Sequence, residues 1–309
     1  MKATMKILRT IALYLSIYLL PALASAQTME VISVPIFKVE QGSVFYALIK
    51  INDGAPTKFL IDTGSTYILI SDQLASRLNL QVKPAIADDG TAILDGGKPA
   101  RLTYASKFQF GSKYEEQTPL IVVSSNKLQF AHNVKVDGIL GANFFAEYAT
   151  LFDFIKGQIT LIPSGKLTLK QITDLNMVNF DCIPIFEDAA HVPALKATLD
   201  DIQNETLIVD TGSIITSVSR KAAEKLHLKP VGDKLTQSTV FGSLTYSQTL
   251  LGKFQIGNLQ YPLLSVCYQD SNKMGPEPGI GLNILARSRF LLDYPAKKIY
   301  IERPAKPSK

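Results

Sequence analysis

The strongest constraint on this chain is that it repeats itself. The segment ALIKINDGAPTKFLIDTGS at 47–65 returns as ALKATLDDIQNETLIVDTGS at 194–213. SDQLASRLNLQVKP (71–84) returns as SRKAAEKLHLKP (219–230), and KFQFG (107–111) as KFQIG (253–257). TPLIVV (118–123) resembles YPLLSV (261–266), and GILGANFFAEYATLFDF (138–154) returns as GIGLNILARSRFLLDY (279–294). Five matches in one order identify a duplication, so two copies of a single structural unit must fold and pack together.

Each copy reads as a run of short strands. Alternating apolar residues in VFYALIKI predict a strand, Asp53-Gly54 a turn, and KFLI a second strand that runs into Asp62. Ser71 and Ser219 are candidate N-caps for one short helix per copy, with Leu74 and Leu78, or Ala222 and Leu226, on its inner face. Polar, glycine-bearing stretches follow, with Asp95-Gly96 and Phe241-Gly242 as candidate hairpin tips. The expected architecture is therefore all-β: two duplicated, closed, barrel-like lobes with one short helix each, related by a pseudo-two-fold axis. Residues 27–163 form the first lobe and 180–309 the second. Residues 164–179 have no counterpart in the repeat and read as a linker.

The first 26 residues stand apart. Lys2, Lys6 and Arg9 precede the apolar run IALYLSIYLL, and Ala24-Ser25-Ala26 suits a cleavage site, which predicts an export signal removed before Gln27. Ten apolar residues are too few to span a bilayer, so no stable membrane span is expected after cleavage, and the destination would be the periplasm or the exterior. The leader carries three of the basic residues behind the formal net charge of +5, and no run of like charge follows, so nucleic acid is not an expected partner. Hydrophobic residues make up 46% of the chain, enough for two cored domains. Cys182 and Cys267 are the only cysteines; in an exported chain an even pair predicts one disulfide, two free thiols being the alternative. His132, His191 and His227 are isolated and lack metal-ligand spacing, so neither metal nor cofactor is expected. No GxSxG elbow supports a serine nucleophile.

One Asp-Thr-Gly-Ser at the end of a strand often serves only to satisfy a turn. Two copies about a two-fold axis bring Asp62 and Asp210 face to face. Like charges a few Å apart do not both ionise easily, so such a pair tends to share a proton. One carboxylate then acts as general base on a water while its protonated partner acts as acid. Gly64 and Gly212 allow backbone to approach the carboxylates, and Thr63 and Thr211 could bond across the axis. Ser65 and Ser213 are expected to donate their hydroxyls to the outer carboxylate oxygens.

With these residues in view, the chain resembles the aspartic proteases, the superfamily of pepsins and retropepsins, over nearly all of 31–302. The doubled DTGS and the downstream GILGAN (138–143) and GIGLN (279–283) carry the likeness. Its compact units look most like the bacterial, two-copy, retropepsin-like branch. The resemblance implies a monomeric endopeptidase with Asp62 and Asp210 as the catalytic pair between the lobes. It implies Gly141 and Gly281 in elements that support the two loops, and the two hairpins as flaps over an extended peptide. GIGLN lacks one apolar residue of GILGAN, which predicts different packing beneath Asp210. No flap tyrosine is assigned: Tyr104 and Tyr246 lie close, and both suit strands. The alternative is an inactive peptide-binding or inhibitor module on the same fold.

Overall fold

A computed structural model describes residues 31–39, 44–85, 94–95, 98–130, 134–163, 167–188, 190–239, 242–270 and 276–303. The expected leader and three of the residues weighed above, Gly96, His132 and Phe241, lie outside this set. The protein is a duplicated, two-lobe, all-β structure.

In the first lobe, strand Phe45–Ile51 turns its alternate residues Phe45, Ala47, Ile49 and Ile51 inward, as the period of two dictates. It pairs with Thr57–Ile61, which runs parallel to Gly138–Leu140. The latter pairs with Leu69–Ser71, which runs parallel to the end of Lys113–Val123. Lys113–Val123 pairs with Arg101–Phe110, and that strand returns to Phe45–Ile51, closing the barrel. Phe59, Phe108, Phe110, Phe144 and Phe145 fill it, with Phe59 edge-on to Phe108 at 5.9 Å between ring centres.

The second lobe closes through equivalent pairings. Strand Pro193–Leu199 pairs with Ile202–Val209, which runs parallel to Gly279–Ile280. Gly242–Ile256 pairs with Pro193–Leu199 on one side and with Leu259–Gln269 on the other. Where the first lobe has the strand Leu69–Ser71, a single parallel bridge between Ser217 and Cys267 completes the ring. Each lobe has its predicted short helix, Asp72–Arg77 or Arg220–Lys225, capped by a serine hydroxyl that accepts the third helical amide at 3.0 Å. Asn79 and His227 follow them in the left-handed conformation that ends such helices.

The lobes join through a six-stranded sheet with three strands from each. At its centre, Tyr148–Asp153 pairs antiparallel with Phe290–Asp293, Leu151 facing Leu291, its own counterpart in the repeat. Thr150 faces Leu292 and Phe152 faces Phe290, so the register is symmetric about that leucine pair and the pseudo-two-fold axis passes through it. Both faces of the two central strands are buried. Phe152 and Phe290 stack on one side at 4.7 Å between centres. On the other, Ala149, Leu151, Ile162 and Leu291 are covered by Leu167, Ile172, Leu175 and Met177. Those covering residues come from the segment read as a linker. It contains a helix, Leu169–Asp174, closed by a Thr168–Gln171 capping box.

Two sequence expectations are corrected here. Phe108 faces Glu115 and Phe254 faces Tyr261, so Glu115, not Thr118, is the counterpart of Tyr261, and the likeness of TPLIVV to YPLLSV is accidental. The disulfide is absent: Cys182 and Cys267 are both free. Cys182 sits in the interlobe sheet opposite Tyr300, whereas Cys267 sits in the barrel of the second lobe opposite Gln248. The even count misled because the two residues belong to different layers, and a disulfide requires their Cα atoms within about 7 Å. Burial also pushes the Cys267 thiol up to about 12. Thiol titration of the folded protein should therefore modify the exposed Cys182 readily and Cys267 only after denaturation; oxidised peptides joining the two would contradict this register.

Candidate active site

Asp62 and Asp210 each sit one step past the buried end of a strand, Thr57–Ile61 or Ile202–Val209. Their backbones are anchored identically: Asp62 N–H donates to Leu140 O and Asp210 N–H to Ile280 O, both at 3.0 Å. The loops are then tied to each other. Thr63 N–H donates to Thr211 Oγ1 at 3.0 Å, and Thr211 N–H to Thr63 Oγ1 at 3.2 Å. Thr63 Oγ1 donates to Val209 O at 2.5 Å, and Thr211 Oγ1 to Ile61 O at 3.0 Å. Both threonines are essentially inaccessible to water, so four buried bonds fix the position of each aspartate against the other lobe.

The glycines show how tight this is. A Cβ built on Gly64 would stand 2.7 Å from Asp210 Cγ, and one on Gly212 would stand 2.4 Å from Asp62 Cγ. Only a residue without a side chain lets each loop pass the other lobe's carboxyl. Gly64 and Ser65 N–H donate to Asp62 Oδ1 at 3.0 and 3.1 Å; Gly212 and Ser213 N–H donate to Asp210 Oδ1 at 2.9 and 3.1 Å. The carboxyls are in hydrogen-bond contact with one another and keep part of their surface open to solvent. Burial, and then the charge of Asp210, hold the Asp62 carboxyl well above the usual range; burial raises Asp210 as well. The loop amides oppose this in both, so the pair retains one proton where an ordinary carboxyl would lose it.

Ser65 and Ser213 serve differently from expectation. Their hydroxyls donate to Tyr67 O at 3.2 Å and Ile215 O at 3.0 Å, within their own loops. It is their backbone amides that reach the carboxylates.

Gly141 and Gly281 lie under the loops. A Cβ on Gly141 would come within 2.3 Å of Tyr67 O, and one on Gly281 within 2.9 Å of Ser213 O. The residues after them donate into the loops: Ala142 N–H to Ser65 O at 2.6 Å and Leu282 N–H to Ser213 O at 2.8 Å. GIGLN therefore aligns with GILGAN through Gly281 and Gly141, so Gly279 stands where the first lobe has Ile139, and a Cβ built on it would come within 3.3 Å of Asp210 Cβ: the packing beneath Asp210 does differ. Val209 pairs with Ile280 just as Ile61 pairs with Leu140. The real difference lies in side chains. Thr216 Oγ1 donates to Asn283 Oδ1 at 2.7 Å and accepts Gly281 N–H at 3.1 Å. The equivalent of Thr216 in the first lobe is Ile68, buried in the apolar core.

The candidate hairpins are present as backbone. Leu94–Asp95 pairs with Lys98–Pro99, and Leu235–Thr239 pairs with the start of Gly242–Ile256, Thr239 facing Gly242. The two tyrosines separate clearly: Tyr104 is half exposed, while Tyr246 is buried with Leu244 and Cys267 against Ile215, on the Asp210 loop. His191 lies beside Glu187 at 3.4 Å. Among the described residues no three metal-binding side chains cluster, and no helix is long and apolar enough to cross a membrane.

Fold and paired loops together define a two-lobe molecule of the aspartic protease type. The aspartyl protease family matches residues 47–144 and 195–284, one stretch around each loop, and the chain belongs to that family. Among solved structures it is similar to conglutin gamma, a basic 7S globulin from lupine seeds, at 10% identity and a TM-score of 0.53, covering 89% of this chain and 95% of that one. At that identity the likeness concerns the fold. No curated protein sequence matches the chain.

The cross-axis bonds can be tested singly. Thr63→Val or Thr211→Val keeps the shape but removes one donor and leaves a buried amide unpaired, which should cost about 1–3 kcal/mol of stability in urea unfolding. The double variant should cost less than the sum, because both act on one network. Additive or negligible losses would show that the loops are held by other contacts.

Proposed function

We propose that the chain is an aspartic endopeptidase in which Asp62 and Asp210 hydrolyse peptide bonds by general acid–base catalysis. The observation that carries this is the pairing of two partly buried aspartates, one from each lobe, whose carboxyls are both raised by burial. A water between them gives a proton to the ionised carboxylate as its oxygen attacks the scissile carbonyl carbon. The protonated partner donates to the carbonyl oxygen, giving a neutral gem-diol and returning the shared proton to the pair. Collapse of the diol returns one hydroxyl proton to the pair, a carboxyl protonates the leaving nitrogen, and the C–N bond breaks. An extended peptide along the cleft is the fitting substrate, because the hairpins offer backbone edges that an added strand can pair with.

The competing reading is a peptide-binding module without turnover, since a seed globulin has this fold. Hydrolysis of unfolded casein by the purified protein separates the two. Asp62→Asn and Asp210→Asn should each lower kcat/KM by about 10²–10⁴-fold or more. The wild-type pH profile should be bell-shaped, because the active form holds one proton on the pair. Ser65→Ala and Ser213→Ala should leave its position unchanged, since those hydroxyls do not touch the carboxyls. Stability supplies an independent check. Both carboxyls bind protons more tightly folded than unfolded, so their contribution to stability is full below the unfolded pKa and is lost as pH rises through the raised folded values. Asp62→Asn should accordingly melt above wild type at pH 7, with the gap closing toward pH 3. Undiminished casein cleavage by either Asn variant would remove the assignment.

A further inference from the structure

The second lobe holds a cavity of about 600 Å³ between the start of Leu259–Gln269 and the residues Asp181, Arg287, Ser288 and Arg303. Neither Asp62 nor Asp210 lines it. The candidate hairpin tip belongs to the opposite end of strand Gly242–Ile256, so the cavity is separate from the cleft over the dyad.

The duplication shows what closes the equivalent place in the first lobe. The register that sets Leu151 against Leu291 makes Tyr148 the counterpart of Ser288. Tyr148 is buried, and Lys113 Nζ lies 4.1 Å from its ring centre while pairing with Glu115 at 3.0 Å. In the second lobe Leu259 replaces Lys113, Tyr261 replaces Glu115, and a serine stands in place of the ring. The outer strand of the interlobe sheet changes too. Gly111 lies against Val34 as Gly257 lies against Ile183, which aligns Ile32 with Asp181. Ile32 packs on the apolar core; its counterpart is a carboxylate.

That carboxylate is only half satisfied. Asp181 is 6% exposed. Arg303 Nε and Nη2 both donate to its Oδ1, at 3.0 and 2.5 Å, and its Oδ2 has no partner. A buried carboxylate oxygen without a donor is unfavourable, so a donor supplied from the cavity would be bound strongly. Arg287 is held in place from behind: its Nε donates to Asn283 O at 2.6 Å, and its guanidinium lies 5.7 Å from the centre of the Tyr261 ring. Among the described residues it has no carboxylate partner, so its outer nitrogens are available to an anion. The groups stand close together. Burial pushes the Tyr261 hydroxyl up to about 12, with Arg287 opposing and Asp181 adding to the rise, so both charges reach that one hydroxyl.

We infer that this cavity is a second binding site, for a small molecule that carries a carboxylate beside a hydrogen-bond donor, as amino acids and hydroxy acids do. The carboxylate pairs with the Arg287 guanidinium and the donor with Asp181 Oδ2. Leu259 and Pro262 offer apolar surface to the ligand's side chain. The volume suits such a ligand, falling in the range of ordinary small-molecule pockets. The site is independent of the endopeptidase reading.

Calorimetry on the full chain with four probes tests this: L-leucine, leucic acid (hydroxyl in place of ammonium), isocaproate (neither) and L-leucinamide (no carboxylate). L-Leucine should bind at least about tenfold more tightly than isocaproate, which leaves Asp181 Oδ2 bare, and than L-leucinamide, which leaves Arg287 unpaired. Leucic acid separates the two sources: weaker binding than leucine assigns the site to amino acids, stronger binding to hydroxy acids. Ser288→Tyr, which places the first lobe's residue at the cavity wall, should abolish binding of both with cooperative unfolding retained. If that variant does not fold, Arg287→Met, at an exposed position, should weaken leucine at least about tenfold and leave leucinamide unchanged. No heat from any probe, equal affinities across the four, or leucine binding that survives these substitutions would overturn the assignment. None of these outcomes depends on casein cleavage, so this site and the endopeptidase reading stand or fall separately.

Discussion

Everything in this molecule converges on the reciprocal bonds of Thr63 and Thr211. Each threonine offers its amide to the other's hydroxyl, and each hydroxyl reaches the carbonyl that precedes the other lobe's aspartate. A single threonine could not satisfy this pattern; it needs a copy of itself facing it. The duplication is thus a chemical requirement of the site as well as a history of the chain. The bonds matter because they oppose an electrostatic cost. Two carboxyls in contact and partly withdrawn from water repel each other when both ionise, and the loops would part if nothing held them. Buried, water-excluded hydrogen bonds are the means available to hold them together.

The rest of the structure supports that contact from below. The antiparallel register that sets Leu151 against Leu291 places the symmetry axis in the interlobe sheet, under the dyad. Gly141 and Gly281 let the supporting elements approach the loops closely enough to receive their carbonyls. The two halves then diverge where the core permits. Thr216 and Asn283 form a polar network under Asp210, while the first lobe uses the apolar Ile68. Tyr246 packs with Leu244 and Cys267 against Ile215, at the strand position that Ala100 holds in the first lobe.

Much of this was legible in the amino-acid sequence. Doubled Asp-Thr-Gly-Ser behind apolar strands pointed to the paired carboxyls, because strand period and the rarity of buried charge leave few other uses for such loops. Ser71 and Ser219 signalled their helices through cap chemistry that is local. Properties that depend on distant packing were harder. The pairing of Cys182 with Cys267 failed since a count says nothing of which sheet each enters. The hydroxyls of Ser65 and Ser213 do not reach the carboxylates as expected, because hydroxyl and amide of one residue face different partners and only the folded loop decides which. The alignment of GIGLN needed the strand register to place the missing residue. The helix at Leu169–Asp174 has no counterpart in the repeat, and its only local signal is Thr168 and Gln171 at capping-box spacing.

The proton that the proposed mechanism places between Asp62 and Asp210 can be observed without turnover. Carbon-13 NMR of the aspartate carboxyls, followed through pH in the wild type and in Asp210→Asn, reads it at the atoms concerned. In the wild type the two carboxyls should titrate together in two separated steps, the second above the ordinary aspartate value of about 4. In the variant, Asp62 should show a single step. Independent single titrations of both residues near the ordinary value in the wild type would show that the carboxyls do not share a proton, and would contradict the mechanism built on them.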